Sequence, residues 1–252
     1  MKRLYRTVRL VLHAIAAVFY CGVVFPFISQ EAKDRYVRYW SAKLMAVSGI
    51  SMRVYHAERI APRSLIVSNH ISWLDIFLIY SHFNGHFIAK STMANWPIIG
   101  YLGKKVGTLY LDRSSGRNLK QILGRLVGNL NDEERCIFFP EGTTAKQGEM
   151  LPFFPNLFEG ALQVNLPIQP VAIRYIMPDG SYAEAVDFSG DVSMQESMKR
   201  IFSTDGITAE LTVLPTIDPQ GKTRRELAQA SQAAIQSTIG NLTDSEAGNS
   251  VT

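Results

Sequence analysis

Short apolar runs and stretches of helical period alternate along most of this chain. Leu65-Ile66-Val67-Ser68 has the unbroken apolar character of a buried strand and stops at Asn69-His70. Trp73–Phe83 predicts a helix and His86-Phe87-Ile88-Ala89 a second strand. Thr108-Leu109-Tyr110-Leu111 predicts a third strand, which runs into Asp112-Arg113. Between Arg117 and Leu130, the residues Leu119, Ile122, Leu123, Leu126, Val127 and Leu130 keep a helical spacing. Cys136-Ile137-Phe138-Phe139 reads as a buried strand ended by Pro140, and Ile168–Tyr175 and Ala209–Leu214 as two more. Arg224–Ile239 predicts a last helix. Strands alternating with helices predict an α/β domain with a mostly parallel central sheet flanked by helices. There is no internal repeat.

The N-terminus follows a different pattern. Leu10–Ile28 is a run of 19 residues without a formal charge, interrupted only by His13 and Pro26. As a helix it measures about 28 Å, close to the hydrocarbon thickness of a bilayer. No Ala-x-Ala-like site follows it, and bulky Phe19 and Tyr20 precede Cys21, which argues against a cleaved leader or a lipoprotein box. In the next helical stretch, Arg35–Val47, the apolar Tyr36, Val37, Trp40, Leu44 and Val47 lie within about 100° of one another. Two arrangements stay open: a single spanning helix, or a bent pair lying in one leaflet with the second helix at headgroup level. The second helix also has the simpler option of packing on the domain that follows. The expected organisation is an anchoring pair of helices over residues 1–49, a domain over 50–240 and a disordered polar tail over 241–252.

Composition narrows the class. Of 252 residues, 46% are hydrophobic, which excludes a disordered chain, and only 19% are charged, which leans towards membrane contact. Two cysteines, Cys21 and Cys136, exclude a disulfide scaffold. The formal net charge of +4 is matched by Lys2, Arg3, Arg6 and Arg9 alone, since residues 1–30 hold no acid. The rest of the chain balances 22 basic side chains with 22 acidic ones, so no basic face for nucleic acid is expected. Cations beside an apolar run favour the cytoplasmic side of a membrane.

In parallel sheets, ligands collect beyond the carboxyl ends of strands. Three predicted strands end in groups capable of chemistry: His70, Asp112-Arg113 and Glu141. His70 precedes Asp75 by five residues, which on a straight helix would place them about 140° apart; a strand-to-helix turn between them removes that obstacle. A carboxylate on one ring nitrogen then fixes the tautomer, and the other nitrogen takes a proton from an alcohol. The simpler reading makes Ser72 an N-cap, Asp75 its capping-box partner and His70 an ordinary loop residue. Ser72 as a nucleophile lacks the G-x-S-x-G setting. In Phe139-Pro140-Glu141-Gly142-Thr143, proline ends pairing and glycine admits a close backbone approach; an ordinary strand-to-loop turn would look the same. Arg113 suits a phosphate, although Asp112-Arg113 is also consistent with a plain surface ion pair. His82 and His86 are four apart without a third ligand, so no metal is expected.

Four blocks in order resemble the glycerolipid acyltransferase family, over roughly residues 50–215. They are Asn69-His70-Ile71-Ser72-Trp73-Leu74-Asp75, Gly107-Thr108-Leu109-Tyr110-Leu111-Asp112-Arg113, Phe139-Pro140-Glu141-Gly142-Thr143 and Leu166-Pro167-Ile168-Gln169-Pro170-Val171. The resemblance implies O-acyl transfer to a lysophospholipid, first of all 1-acylglycerol 3-phosphate. His70 would be the general base and Asp75 its holder. Arg113 would bind the acceptor phosphate, Glu141, Gly142 and Thr143 would help build the acceptor site, and the fourth block would line the acyl or acceptor pocket. The donor would be acyl-CoA or acyl-carrier protein, with no acyl-enzyme and no cofactor. The implied place of work is the cytoplasmic face of a bacterial inner membrane.

The chain departs from the family pattern after Glu-Gly-Thr, where many members carry arginine and then serine and this one has Thr144 and Ala145. Gln169 stands where valine is usual. Lys90, Lys104 and Lys105 lie near the motifs and would replace the lost charge or stay solvated. The departures keep a second acceptor in view, another lysolipid such as lyso-ornithine lipid. Two other classes remain: a non-catalytic lipid-binding protein, which needs no His70–Asp75 pair, and a hydrolase using the same base on water.

Overall fold

The computed structural model describes residues 2–111, 123–128 and 135–247. Seven strands form one sheet: β1 (Ser51–Tyr55), β2 (Leu65–Ser68), β3 (His86–Lys90), β4 (Leu109–Leu111), β5 (Cys136–Phe138), β6 (Ile168–Ile176) and β7 (Thr208–Val213). Their order across the sheet is β1-β7-β6-β2-β5-β3-β4. Every pairing is parallel except β6 with β7. The expected α/β architecture is therefore present, with one antiparallel step.

The central strands are apolar throughout because helices cover both faces. Along β2, the side chain of Ile66 joins the core on one face and those of Leu65 and Val67 the core on the other, as the two-residue period of a strand requires. The first face packs Ile173 and Leu211 against α2 (Gln30–Ser48), α3 (Leu74–Tyr80) and α7 (Met194–Ser203). The second packs Phe138 and Ile168 against α5 (123–128), α6 (Phe158–Gln163) and α8 (Arg224–Ala247). A short α4 (Ile99–Lys105) precedes β4. Helix α8 runs past Gly240 to Ala247, into the stretch where a disordered tail is expected.

Helix α1 (Lys2–Val23) turns back through Phe25–Phe27 into α2, whose start is capped by Ser29 Oγ accepting from Ala32 N. The two helices are pinned side by side. His13 and Trp40 stack at 4.6 Å, the Trp40 indole donates to the His13 carbonyl, and His13 Nε2 bonds the Trp40 carbonyl. Tyr20 stacks on Tyr36 at 3.9 Å. At the far end, Arg6 donates to the carbonyls of Phe202 and Thr204 and pairs with Asp205 at 2.6 Å. Gly49 closes α2 at φ 80°, and a Cβ there would collide with the Arg6 guanidinium.

Of the expected anchoring pair, α1 is the apolar candidate, and α2 takes the simpler option of packing on the domain that follows. The apolar face of α2 is spent on the body, with Leu44, Met45 and Val47 buried. Among the described residues, α1 turns a long apolar face outward. Its Leu4, Val8, Val11, Leu12, Ile15, Phe19 and Val23 are all exposed, and at 100° per residue they share one side about 120° wide. Ala17 and Cys21, on the opposite side, are buried against the protein. One helix of the described residues, Lys2–Phe27, is long and apolar enough to cross a membrane, yet it lies along the domain and is tied to it at both ends.

Candidate active site

The site grows from the turn between β2 and α3. Asn69, just past β2, is buried, and its side-chain amide replaces a strand residue. Its Nδ2 donates to Ile173 O at 2.9 Å, and its Oδ1 accepts from Ile173 N at 2.8 Å. This fixes where the chain leaves the sheet. His70 follows outside the helix, and Asp75 sits in the first turn of α3. The turn removes the helical-wheel objection: His70 Nδ1 lies 2.8 Å from Asp75 Oδ2.

Asp75 is fully buried, and its charge is answered by several donors. Oδ2 also accepts from the backbone N–H groups of Ile71 (2.7 Å) and Ser72 (2.9 Å), and Oδ1 accepts from the Tyr175 hydroxyl at 2.7 Å. A buried carboxylate is tolerable only when satisfied in this way. Burial, followed by the neighbouring Asp75 charge, pushes the Tyr175 phenol well above its ordinary pKa, so it remains a donor. The capping expectation is half right. Asp75 reaches back to Ser72 N, as in a capping box, but the Ser72 hydroxyl is buried without a partner among the described residues and caps nothing.

With Nδ1–H given to the carboxylate, Nε2 is the basic nitrogen of the neutral His70 ring. The ring stacks on Phe139 at 3.8 Å, with the planes 4° apart. That contact, the Asp75 bond and two backbone ties hold it in one orientation. His70 N donates to Glu141 Oε1 at 2.8 Å, and His70 O accepts from Ala145 N at 2.8 Å. The His70 side chain keeps 17% of its surface, whereas that of Asp75 keeps none.

Glu141 is 2% exposed and faces inward. Its second oxygen accepts from Leu151 N at 2.8 Å, so one carboxylate joins the loop after β5 to the turn after β2. Burial raises its pKa above the usual glutamate value, opposed by the N–H groups of Leu151 and His70. Gly142 takes the left-handed φ of 74° that the turn requires and donates to Phe139 O. Thr143 is exposed. Thr144 donates its hydroxyl to Phe188 O, and Ala145 is buried against the His70 backbone. Arg113 and Asp112 lie outside the described residues. Lys90, Lys104 and Lys105 are all exposed.

The fourth block is placed differently from the expectation. Ile168, Gln169 and Val171 have no exposed surface and sit within β6. Gln169 is structural: Oε1 accepts from Ala61 N, and Nε2 donates to Leu214 O. The strand has core neighbours on both faces there, so this stretch cannot line an open pocket. Farther along β6, Ile173 and Arg174 do line one, a cavity of about 270 Å³ shared with Asn69, Ile71, Gln147 and Tyr182. Tyr175 and the lock made by Asn69 are the site features that sequence patterning passes over. Asn69 opens the first block and Tyr175 lies in a predicted strand, but their roles depend on spatial partners about a hundred positions away, which no local pattern shows.

Residues 51–174 match the Acyltransferase family. The chain is 34% identical over 206 residues to a lyso-ornithine lipid O-acyltransferase of Pseudomonas aeruginosa, covering 81% of this chain and 78% of that protein. It is 27% identical over 216 residues to a 1-acyl-sn-glycerol-3-phosphate acyltransferase of Neisseria meningitidis serogroup B, covering 85% and 84%. The crystal structure of the 1-acyl-sn-glycerophosphate acyltransferase PlsC from Thermotoga maritima has the same fold, with a TM-score of 0.65 at 21% identity over 94% of this chain and 97% of that one.

Proposed function

This chain belongs to the acyltransferase family, and from that footing we propose that it moves a fatty acyl group from a thioester to the free hydroxyl of 1-acylglycerol 3-phosphate. The observation that carries the reading is the 2.8 Å bond between His70 Nδ1 and a fully buried Asp75, which leaves Nε2 as the base. Nε2 takes the hydroxyl proton as the acceptor oxygen attacks the thioester carbonyl. The tetrahedral adduct collapses, the C–S bond breaks, and the imidazolium returns its proton to the departing thiolate. Asp75 stabilises the imidazolium while it lasts. General-base help of this kind supplies about 10²–10⁴-fold. The thioester is acyl-CoA or acyl-carrier protein, and Arg113, Glu141, Gly142 and Thr143 belong to the acceptor side, with Glu141 acting by shaping its loop.

A second reading has an observation in its favour. Thr144 and Ala145 place a hydroxyl bound to Phe188 and a buried methyl next to the Glu-Gly-Thr turn, where a phosphate would favour a cation. The 34% identity to a lyso-ornithine lipid enzyme points the same way. Assaying the purified protein on both lysolipids with each donor type decides the acceptor. Turnover of 1-acylglycerol 3-phosphate supports the first reading; turnover of lyso-ornithine lipid alone replaces it with the second. Free fatty acid released without an acceptor would sink both in favour of a hydrolase. The outward apolar face of α1 supports in-plane seating in one leaflet, and the basic N-terminus supports the cytoplasmic side of a bacterial inner membrane.

A further inference from the structure

At the other end of the strands lies a cavity that the chemistry above does not use. It measures about 100 Å³ and opens beside His86 at the start of β3 and Arg135 just before β5, whereas His70 and Glu141 follow strand ends. Four cations line it: Lys33 and Arg38 from α2, Lys105 at the end of α4, and Arg135. One acid, Asp34, is in the lining, and its oxygens are occupied by the side-chain amides of Gln30 (2.9 Å) and Asn84 (3.2 Å). Among the described residues it pairs with none of the four cations.

The arginines are arranged for a guest. Arg135 is held by two bonds, Nε to Ala61 O at 2.8 Å and Nη1 to Asn84 Oδ1 at 2.9 Å. Burial, and after it the charge of Arg38, pulls its pKa below the ordinary arginine value. Arg38 is half-buried, and among the described residues neither its side chain nor that of Lys33 makes a hydrogen bond or ion pair. Two guanidinium groups lining one cavity raise the cost of each other's charge, and an anion between them lowers it. A guanidinium fork suits phosphate oxygens in particular.

The surroundings suggest where such a phosphate comes from. Phe25 lines the cavity, and from the same end of α1 Val23 and Phe27 face outward, Phe27 with 85% of its surface exposed. A lipid headgroup seated here would have its chains beside that apolar face. We propose that this cavity binds the phosphate of an anionic phospholipid in the surrounding leaflet, as a non-reacting lipid separate from the substrate.

The test uses the full-length protein and flotation on phosphatidylcholine vesicles with and without phosphatidylglycerol. Arg38→Gln removes a cavity charge. Arg35→Gln removes the same charge from the same helix outside the lining, at an exposed residue facing Glu31. Diffuse attraction is worth about fivefold for either arginine. The expected result is that Arg38→Gln weakens binding to anionic vesicles by more than about tenfold, exceeds Arg35→Gln and leaves binding to neutral vesicles unchanged. Equal losses for the two variants, or no loss for Arg38→Gln, would overturn the proposal. Inorganic phosphate is the second probe. If it raises the melting temperature of the wild type but not of Arg38→Gln, while vesicle binding is the same for both, the site takes a soluble phosphate and the lipid assignment fails. Acyl transfer by Arg38→Gln in detergent is measured alongside, so a failure here is distinguishable from a failure of the enzymatic reading.

Discussion

The Tyr175 hydroxyl reaches Asp75 Oδ1 at 2.7 Å from the middle of the sheet, and both side chains are fully buried. Tyr175 does not touch the substrate side; it acts on the base through the carboxylate. Replacing it by phenylalanine removes a hydrogen bond to a charged group, a loss of about 1.5–3 kcal/mol. The carboxylate that remains is less neutralised and favours the imidazolium more strongly. Tyr175→Phe should therefore lower kcat with little change in KM and move the acidic limb of the pH–rate profile to higher pH. A purely structural tyrosine would lower activity without moving that limb.

His70→Ala should reduce acyl transfer by about 10²–10⁴-fold while lysolipid binding, followed by vesicle or micelle titration, stays near wild type. More than about 1% residual turnover would contradict a general base at this position. Asp75→Asn should be nearly as damaging. Its amide group brings a donor into a pocket built from donors, so a loss of structure is checked by circular dichroism on the same sample.

Glu141 gives a pH signature in stability. Its folded-state carboxyl pKa lies above the unfolded value of 4.5 because burial dominates. The folded protein then holds this proton more tightly than the unfolded chain. That contribution is fully present below the unfolded value and is lost as pH rises through the raised folded value. Denaturant titrations of wild type and Glu141→Gln across this window should show the wild type losing ground to the variant as pH rises, then a plateau. A difference independent of pH would rule out this assignment.

The outward side of α1 predicts membrane attachment without a role in folding. Leu12, Ile15 and Phe19 each keep about 60% of their surface free. Leu12→Glu with Ile15→Glu should leave the melting temperature near wild type and weaken flotation on vesicles by at least about tenfold, since burying each such side chain is worth about 1.5–3 kcal/mol. Unchanged flotation would argue against α1 as the lipid-facing element.

Much of the sheet is legible in the chain because β2, β5 and β6 are buried on both sides and read as plain apolar runs. Edge strand β1 is passed over: in Ser51–Tyr55 only Met52 and Val54 pack inward, and Arg53 interrupts them. Helix α4 is obscured by Gly100 and Gly103 within seven residues. Helix α7 does carry a signal, Ser193 capping and Glu196 three positions on, though a period count over so short a segment is weak. At the site, the His70–Asp75 bond follows from spacing plus a turn. The inward-facing Glu141 does not follow from spacing, because a carboxylate after a strand reads the same whether it points to a ligand or to a backbone N–H. The second amphipathic helix stays ambiguous in the sequence for a related reason: an apolar stripe specifies that it will be covered, not whether lipid or protein does the covering.

The tie between Arg6 and the carbonyls of Phe202 and Thr204 joins positions 196 and 198 residues apart. At about 5–20 residues per second, the ribosome needs roughly 10–40 s to make the second end after the first. Through that interval the Arg6 end of α1 lacks its partners in the C-terminal part of the fold. A nascent chain built in this order completes α1 long before α7 exists, so closure of the fold onto its own first helix comes last.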